Sequence, residues 1–537
     1  MRRLPIALLL LTAISIHAQQ TVGLFQLTEQ ATDGYVLLAP IPSEEVYLID
    51  NCGREVHTWN TPSRPALNTY LLDDGSLLRT GRTPNDNFTG NSGRVMKVAW
   101  DGTVEFDYQF SNDTIYQHHD IEPMPNGNFL VVLWHLYSPG ESTTAGRVPA
   151  DVPDGGIWAE TIWEVEPVDL DTYNVVWQWS AWDHLIQNHS SFLPNFGEPA
   201  DHPRRIDINY RAAGGAQTAA DWLHFNSVSY DPVQDVIVTS SRFWDEVWVI
   251  DHATTTAEAA GPAGDLLYRW GNPEAYGRGT AADRTLFGQH DARFVPEGLP
   301  DAGKLSAFSN GNGRPGGDLS SVDLIDPARD ADGNFLPPPS DDAPFGPETS
   351  TFAYPPSFFF SQRISGAHQL PNGNWFITDG PFGRLFEADA NHDIVWEYVN
   401  PITNTGPLTQ GENVGGNAVF RATRFLPDHP AFAGRDLTPG VPLELNPIAT
   451  DCSVVSTVKT DFGAVTARVF PNPVGEEVTV WFETALSGEL LVFDGLGRVV
   501  ARMVLRGTDQ VRLDARAWQS GLYVFSLDGK LVGRVVK

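Results

Sequence analysis

QLPNGNWFITDGPFGRLFEADANHDIVWEY (369–398) sets three short apolar segments in a row. A tight Asn-Gly turn runs into WFITD, a second alternating segment LFEAD ends on Asp, and DIVWEY carries aromatics. Asn-Gly and Asp-Gly supply the positive φ that a hairpin between strands needs. The pattern recurs along the chain. Segments like LFEAD (385–389) are VYLID (46–50), VMKVAW (95–100), IWEVEP (162–167), VWVID (247–251) and SVDLID (321–326), six copies in all. Aromatic segments follow most of them: EVHTW (55–59), TVEFDY (103–108), NVVWQW (174–179), DLLYRW (265–270) and DIVWEY (393–398), the fifth copy lacking an obvious one. The turn-and-strand element recurs as LLDDGSLL (71–78), EPMPNGNFLVVL (122–133) and YDPVQDVIVTS (230–240).

The copies lie roughly 50 to 85 residues apart, more than a minimal propeller blade of about 40 to 50, so long loops are inserted. Helical periodicity is nearly absent, and 49 Gly with 40 Pro suit many turns between short strands. The reading is all-β: residues 19–450 form a six-bladed β-propeller, with a β-sandwich or solenoid of the same strand content as the alternative. A linker over 451–463 leads to a small β-sandwich over 464–537, where VTVWFE and ELLVFD alternate strictly.

With 41% apolar and 19% charged residues among 537, the chain can bury a large core. Its formal charge of −32 repels a phosphate backbone and excludes nucleic acid as an expected partner. Residues 464–537 carry 9 basic and 8 acidic side chains, which leaves 26 basic (35 − 9) and 59 acidic (67 − 8) for the remainder. The negative charge therefore belongs to the larger part. Residues 1–18 read as a secretory signal peptide, with Arg2 and Arg3, an apolar run from Ile6 to Ile16, and Ala18. No later stretch reaches the ~18 apolar residues of a membrane span. Export to an oxidising compartment permits a disulfide between Cys52 and Cys452, the alternative being two separate thiols.

In a propeller the innermost strands face the axis, so one repeat position in different blades converges on one volume. Six residues before the hairpin turn stand His119 (HDIEPMPNG), His224 (HFNSVSYDP), His290 (HDARFVPEG) and Arg421 (RATRFLPDH). A single strand histidine is usually a satisfied core or surface residue; three at one offset reverse that weighting. DWLHFNS (221–227) places Asp221, Trp222 and Asn226 around His224, SSR (240–242) brings Arg242 on the next strand, and SNGNGR (309–314) ends in Arg314. His368 in SGAHQLPNGN (365–374) stands at offset three instead. His118, His135, His184 and His189 are read as loop or surface residues. Three His with the carboxylates Asp120 and Asp291 fit a transition metal. Against a metal, arginine beside such a site is electrostatically unfavourable, and imidazole with guanidinium better fits an oxyanion.

At DWLHFNS with SSR, the QHD segment (289–291), SNGNGR and SGAHQLPNGN, the chain resembles the arylsulfotransferase family, the PAPS-independent aryl-sulfate sulfotransferases. The resemblance implies a six-bladed propeller that moves a sulfuryl group from an aryl sulfate donor to a phenol acceptor through a sulfohistidine, with ping-pong kinetics, no metal and no cofactor. It implies catalytic roles for His224, His290 and Arg314 at the sulfuryl group and for His368 as nucleophile; His119, Trp222, Asn226, Arg242 and Arg421 are candidate substrate-binding residues. Should His368 lie outside the channel, His224 or His290 inherits its role, or activity is absent. FPNPV (470–474), LLVFDGLGRVV (490–500), GLYVFSL (521–527) and GRVVK (533–537) resemble a type IX secretion sorting domain, which implies that secretion machinery as a partner and a secreted or cell-surface location reached through the periplasm. The other function classes kept open are a non-catalytic surface propeller that binds ligands or proteins, and a His-cluster metal-dependent hydrolase or lyase.

Overall fold

A computed structural model describes residues 20–83, 90, 92–211, 220–356, 359–448, 452 and 467–537, apart from 471–473, 495–498, 520 and 528–529. The expected signal peptide lies outside these residues. Six antiparallel sheets form the blades of a propeller. Blade one pairs Tyr35–Leu38, Glu45–Asp50 and Glu55–Asn60 with an inner strand, Thr423–Phe425, from the far end of the chain. Blade two runs from Pro65–Leu71 out to Val104–Gln109, blade three from Ile115–Pro123 to Tyr173–Ser180, and blade four from Phe225–Asp231 to Tyr268–Trp270. Blade five runs from His290–Phe294 to Thr351–Tyr354, whose Phe352 and Tyr354 supply the aromatics missing from the repeat pattern. Blade six runs from Gly366–Gln369 to Ile394–Val399 and gains an outermost strand, Gly23–Leu27, from the chain's beginning. The ring is thus closed twice by strand pairing between its two ends, and a disulfide joins Cys52 to Cys452 at the same seam.

The aromatic segments are the outermost strands, and their polar tips explain the residue types. Tyr108 Oη donates to the Asp169 carbonyl (2.6 Å), Trp179 Nε1 to Gly264 (2.8 Å), Trp270 Nε1 to Pro347 (2.7 Å) and Trp396 Nε1 to Asn51 (2.9 Å). Each acceptor lies between the third and fourth strands of the next blade. The ring body fills the gap between blades while its one donor is satisfied there, a combination only Trp and Tyr offer at this size.

At the axis one guanidinium, through two carboxylates, links all six blades. Arg421, entering blade one, donates to Asp120 of blade three and, at 2.6 Å, to Asp291 of blade five. Asp120 also accepts from Asn68 Nδ2 of blade two (2.6 Å) and from the Val228 amide of blade four (3.1 Å); Asp291 accepts from the Ala367 amide of blade six (2.9 Å). Gly366 is required beside this triad, since a Cβ there would stand 2.3 Å from Asp291 Oδ2. Arg421 is therefore held by two carboxylates rather than free for a ligand.

The C-terminal sheet is separate in sequence and core. Its strands Ala467–Phe470, Glu477–Asp494, Leu522–Leu527 and Lys530–Val536 pair in that order, with Val499–Asp514 on the other edge of the long second strand. Register shifts between Trp481 and Gly488 let that strand bend, and the sheet closes over Val478, Val480, Phe482, Val492, Tyr523, Phe525 and Val535. No helix among the described residues is long and apolar enough to cross a membrane.

Candidate active site

Each inner strand of blades two to five is bulged, with register shifts at Pro65/Thr69, Val131/Leu133, Phe225/Ser227 and His290/Arg293. Left-handed backbone falls within the bulges at His119 (φ 48°) and Asp291 (φ 52°) and just before the blade-four bulge at His224 (φ 56°), and Ser365 of blade six matches them (φ 87°). A bulge turns a side chain out of strict alternation, and here it turns imidazoles from three blades toward one another. The His119 and His224 rings meet edge to face at 4.5 Å, and His290 is close enough to weaken protonation of His119. All three are buried, with exposures of 3–5%.

His224 is oriented by Asp221, whose Oδ2 accepts from Nδ1 at 2.5 Å, and Phe243 stacks on its other face at 4.5 Å. That carboxylate leaves the lone pair on Nε2. His290 is engaged at both nitrogens: Nδ1 donates to Asn310 Oδ1 (2.6 Å) and Nε2 accepts from the Ile364 amide (3.2 Å). Ile364 sits at φ 49°, a strained conformation for a β-branched residue that is retained where it delivers this amide. Burial, then Arg242, pushes the His290 pKa well below the ordinary imidazole value. His119 is pushed down likewise, by burial first and then by His224, His118, His290 and Arg242.

Arg242 is the cation of this group. Its amide donates to the His224 carbonyl (3.2 Å), its guanidinium lies 5.8 Å over Phe243, and among the described residues it makes no ion pair or side-chain hydrogen bond. Leu67, Ile364 and Phe420 form an apolar cluster with Ile41 and Ala418, and the Ile364 amide that donates to His290 links this cluster to the imidazoles.

The structure does not bring the remaining residues into this group. Arg314 donates to Ser321 Oγ (2.6 Å), lies 3.8 Å from Asp323 and covers Phe287, all within blade five and its entry. His368 lies farther along its inner strand, where Nε2 accepts from the Arg424 amide (3.3 Å) and the charges that act on it are Arg293, Asp291 and Arg424. Asn226 donates to the Gln289 carbonyl (2.8 Å) and braces blade four to blade five. Trp222 packs edge to face on Trp182 and Trp244 in the core. Sequence reasoning placed His118 on a loop or the surface. It is buried, stacks on Trp134 at 3.8 Å, and its Nδ1 lies 2.9 Å from that of His119. The doubled histidine before Asp120 was the available signal. Among the described residues no group of three His, Cys, Asp or Glu is arranged to hold a metal ion.

A family model described as Arylsulfotransferase (ASST) matches residues 43–323, and one described as Secretion system C-terminal sorting domain matches residues 468–535. No curated protein matches the chain. Among solved structures, a protein of unknown function from Bacteroides caccae is 10% identical, with 73% of this chain and 99% of that chain covered and a TM-score of 0.39. Virginiamycin B lyase from Staphylococcus aureus is 10% identical, covering 72% and 91% with a TM-score of 0.32. Hydrazine synthase from Kuenenia stuttgartiensis is 11% identical, covering 72% and 81% with a TM-score of 0.32.

Proposed function

Because the chain belongs to the arylsulfotransferase family, we propose that it moves a sulfuryl group from an aryl sulfate to a phenol by way of a sulfohistidine on His224. The observation that carries this reading is the Arg242 guanidinium, without an ion pair among the described residues, near a histidine whose Nδ1 is held by Asp221. The C-terminal sorting domain makes the protein one delivered by type IX secretion to the cell surface or the medium.

His224 Nε2 attacks sulfur in line, the S–N bond forms, and the S–O bond breaks with its electron pair left on the phenolate oxygen. By analogy with phosphoryl transfer, a loose transition state leaves positioning and charge stabilisation as the main work, which falls to Arg242 at the sulfuryl oxygens. Asp221 stabilises the imidazolium formed when Nε2 is sulfated. A second phenol, as phenolate, takes the group from nitrogen and frees His224. Over the cycle the acceptor's proton passes to the departed phenolate through solvent. The apolar cluster of Leu67, Ile364 and Phe420, joined to His290 through the Ile364 amide, suits an aryl ring next to this centre. His290, with both nitrogens occupied, supports the floor of the site rather than competing as nucleophile.

The test is release of 4-nitrophenol from its sulfate ester, with and without phenol and with and without EDTA. Acceptor-dependent release that survives chelation, with parallel-line kinetics and labelled sulfate on the His224 peptide, is the expected result. Release abolished by EDTA supports a metal-dependent hydrolase instead, and no release under any condition supports a binding propeller.

A further inference from the structure

His118 and His119 are adjacent in the inner strand of blade three, yet strand alternation alone would point them to opposite faces. The left-handed turn at His119 (φ 48°) brings their Nδ1 atoms to 2.9 Å, while the His118 ring stays stacked on Trp134 at 3.8 Å and 7°. A contact of that length needs one N–H and one lone pair, so two neutral rings take opposite tautomers. The groups facing His119 all oppose a positive charge on it: His118 from its own strand, His224 and Arg242 from blade four, His290 from blade five. His224 opposes charge on His118. The pair is therefore neutral at ordinary pH.

Which ring donates is decided by the far side of His118. Its Nε2 is buried and has no partner among the described residues. A buried N–H without an acceptor costs more than a bare acceptor, so the proton of His118 belongs on Nδ1. His119 Nδ1 then accepts, and His119 carries its own proton on Nε2. The Gly90 backbone packs beside that ring, where a Cβ would stand 2.0 Å from Cε1 and 2.2 Å from Nε2, so any side chain at this position would overlap the imidazole. We infer that His118 is a positioning residue that fixes the tautomer of His119, so that His119 offers Nε2–H as a neutral hydrogen-bond donor to an oxygen of the transferring sulfuryl group or the departing phenolate. A neutral donor needs no proton transfer and stays in the donating state over a wide pH range, as neutral imidazoles do elsewhere when they polarise an oxyanion.

The catalytic part rests on the sulfuryl-transfer reading; the tautomer does not. ¹⁵N chemical shifts of histidine-labelled protein, assigned with the H118N and H119Q variants, report the tautomer directly. The expected spectrum shows His119 protonated on Nε2 and bare on Nδ1 from pH 6 to 8; a His119 protonated on Nδ1, or a charged one, overturns the inference whether or not the enzyme turns over. In the assay, His118→Phe keeps the stack on Trp134 but removes the donor, and is expected to lower kcat by ~10² with KM little changed. His118→Asn keeps a donor and is expected to stay within ~5-fold of wild type, on the same scale. Equal activity of His118→Phe and wild type overturns the positioning role. Loss in both variants, with unchanged melting temperature, overturns the donor argument. Absence of transfer in the wild type refutes the reaction alone and leaves the spectrum to judge the tautomer.

Discussion

Asp221 and Glu160 set two buried carboxyls at His224, and burial divides their duties. Glu160 accepts from the Phe225 amide (3.1 Å), holding the bulge behind the ring, and burial followed by the Asp221 charge pushes its pKa well above the carboxylate range. Burial thus favours its neutral form, and Glu160→Gln, which matches the shape and charge of that form, is expected to leave the melting temperature and kcat nearly unchanged. Glu160→Ala strands the Phe225 amide and is expected to cost about 1–3 kcal/mol in urea unfolding. Asp221→Asn removes the charge that fixes the Nδ1–H tautomer, and kcat is expected to fall ~10²- to 10⁴-fold with the fold intact. Asp221 was legible in DWLHFNS because it stands three residues from the histidine it serves. Glu160 was not, because it reaches His224 from another blade and nothing in IWAETIWEVEP marks one acid as buried.

At the scale of the strand, the repeat offset located His119, His224, His290 and Arg421 because it counts backward from a hairpin turn that fixes the register of each inner strand. The offset says which blade position nears the axis, not where a side chain ends. Arg314 was read as a ligand clamp from its glycine-rich loop, yet Ser321 and Asp323 hold it inside blade five. Arg242, from SSR, has no ion pair among the described residues, the nearby carboxylates of its own blade being bonded elsewhere, Asp221 to His224 and Asp245 to Arg284. His118, read as a loop or surface residue, lies instead in the inner strand of blade three, and the bulge that turns it toward His119 leaves no mark in composition. His368, two residues into its inner strand from Gly366, lies among Arg293, Asp291 and Arg424, and burial first, then Arg293, pushes its pKa down to about 3. The unfolded chain then binds a proton that the folded one refuses between about pH 6.5 and 3, so its contribution to stability is complete above pH 6.5 and is lost as pH falls. His368→Gln removes this linkage. Between pH 7 and 5 the variant is expected to lose ~2 kcal/mol less than wild type in urea titrations, a difference set by one depressed imidazole.

The whole molecule depends on how a ring of six sheets is kept closed. Two ties act at the seam. Strand pairing splices both chain ends into blades one and six, and the Cys52–Cys452 disulfide spans 400 residues. A loop that long constrains the unfolded chain strongly, so reduction, or Cys452→Ser, is expected to remove on the order of 3–5 kcal/mol and to lower the melting temperature without changing the inner strands. The third tie is Arg421 at the axis, and it differs in kind, because it joins blades that are not neighbours. Blades one, three and five meet through Arg421, Asp120 and Asp291, and blades two, four and six bond to those carboxylates. Arg421→Met keeps the length and the contact with Phe420 but leaves two buried carboxylates facing each other, a loss of about 3–5 kcal/mol by analogy with other broken buried pairs. Arg293 still neutralises part of the charge on Asp291, so Asp120 is the group left exposed to the full penalty. Asn at both acid positions in the Arg421→Met background removes the buried charge and is therefore expected to recover part of the stability: one amide oxygen at position 291 can still accept from Ala367, and the one at position 120 can still accept from either Asn68 or Val228, but not from both. Activity separates the two roles of the triad. If the axis serves only closure, the neutral triple variant regains kcat along with its melting temperature; if the charges also set the field around His119 and His290, which directly precede the two acids in sequence, stability returns while kcat stays low.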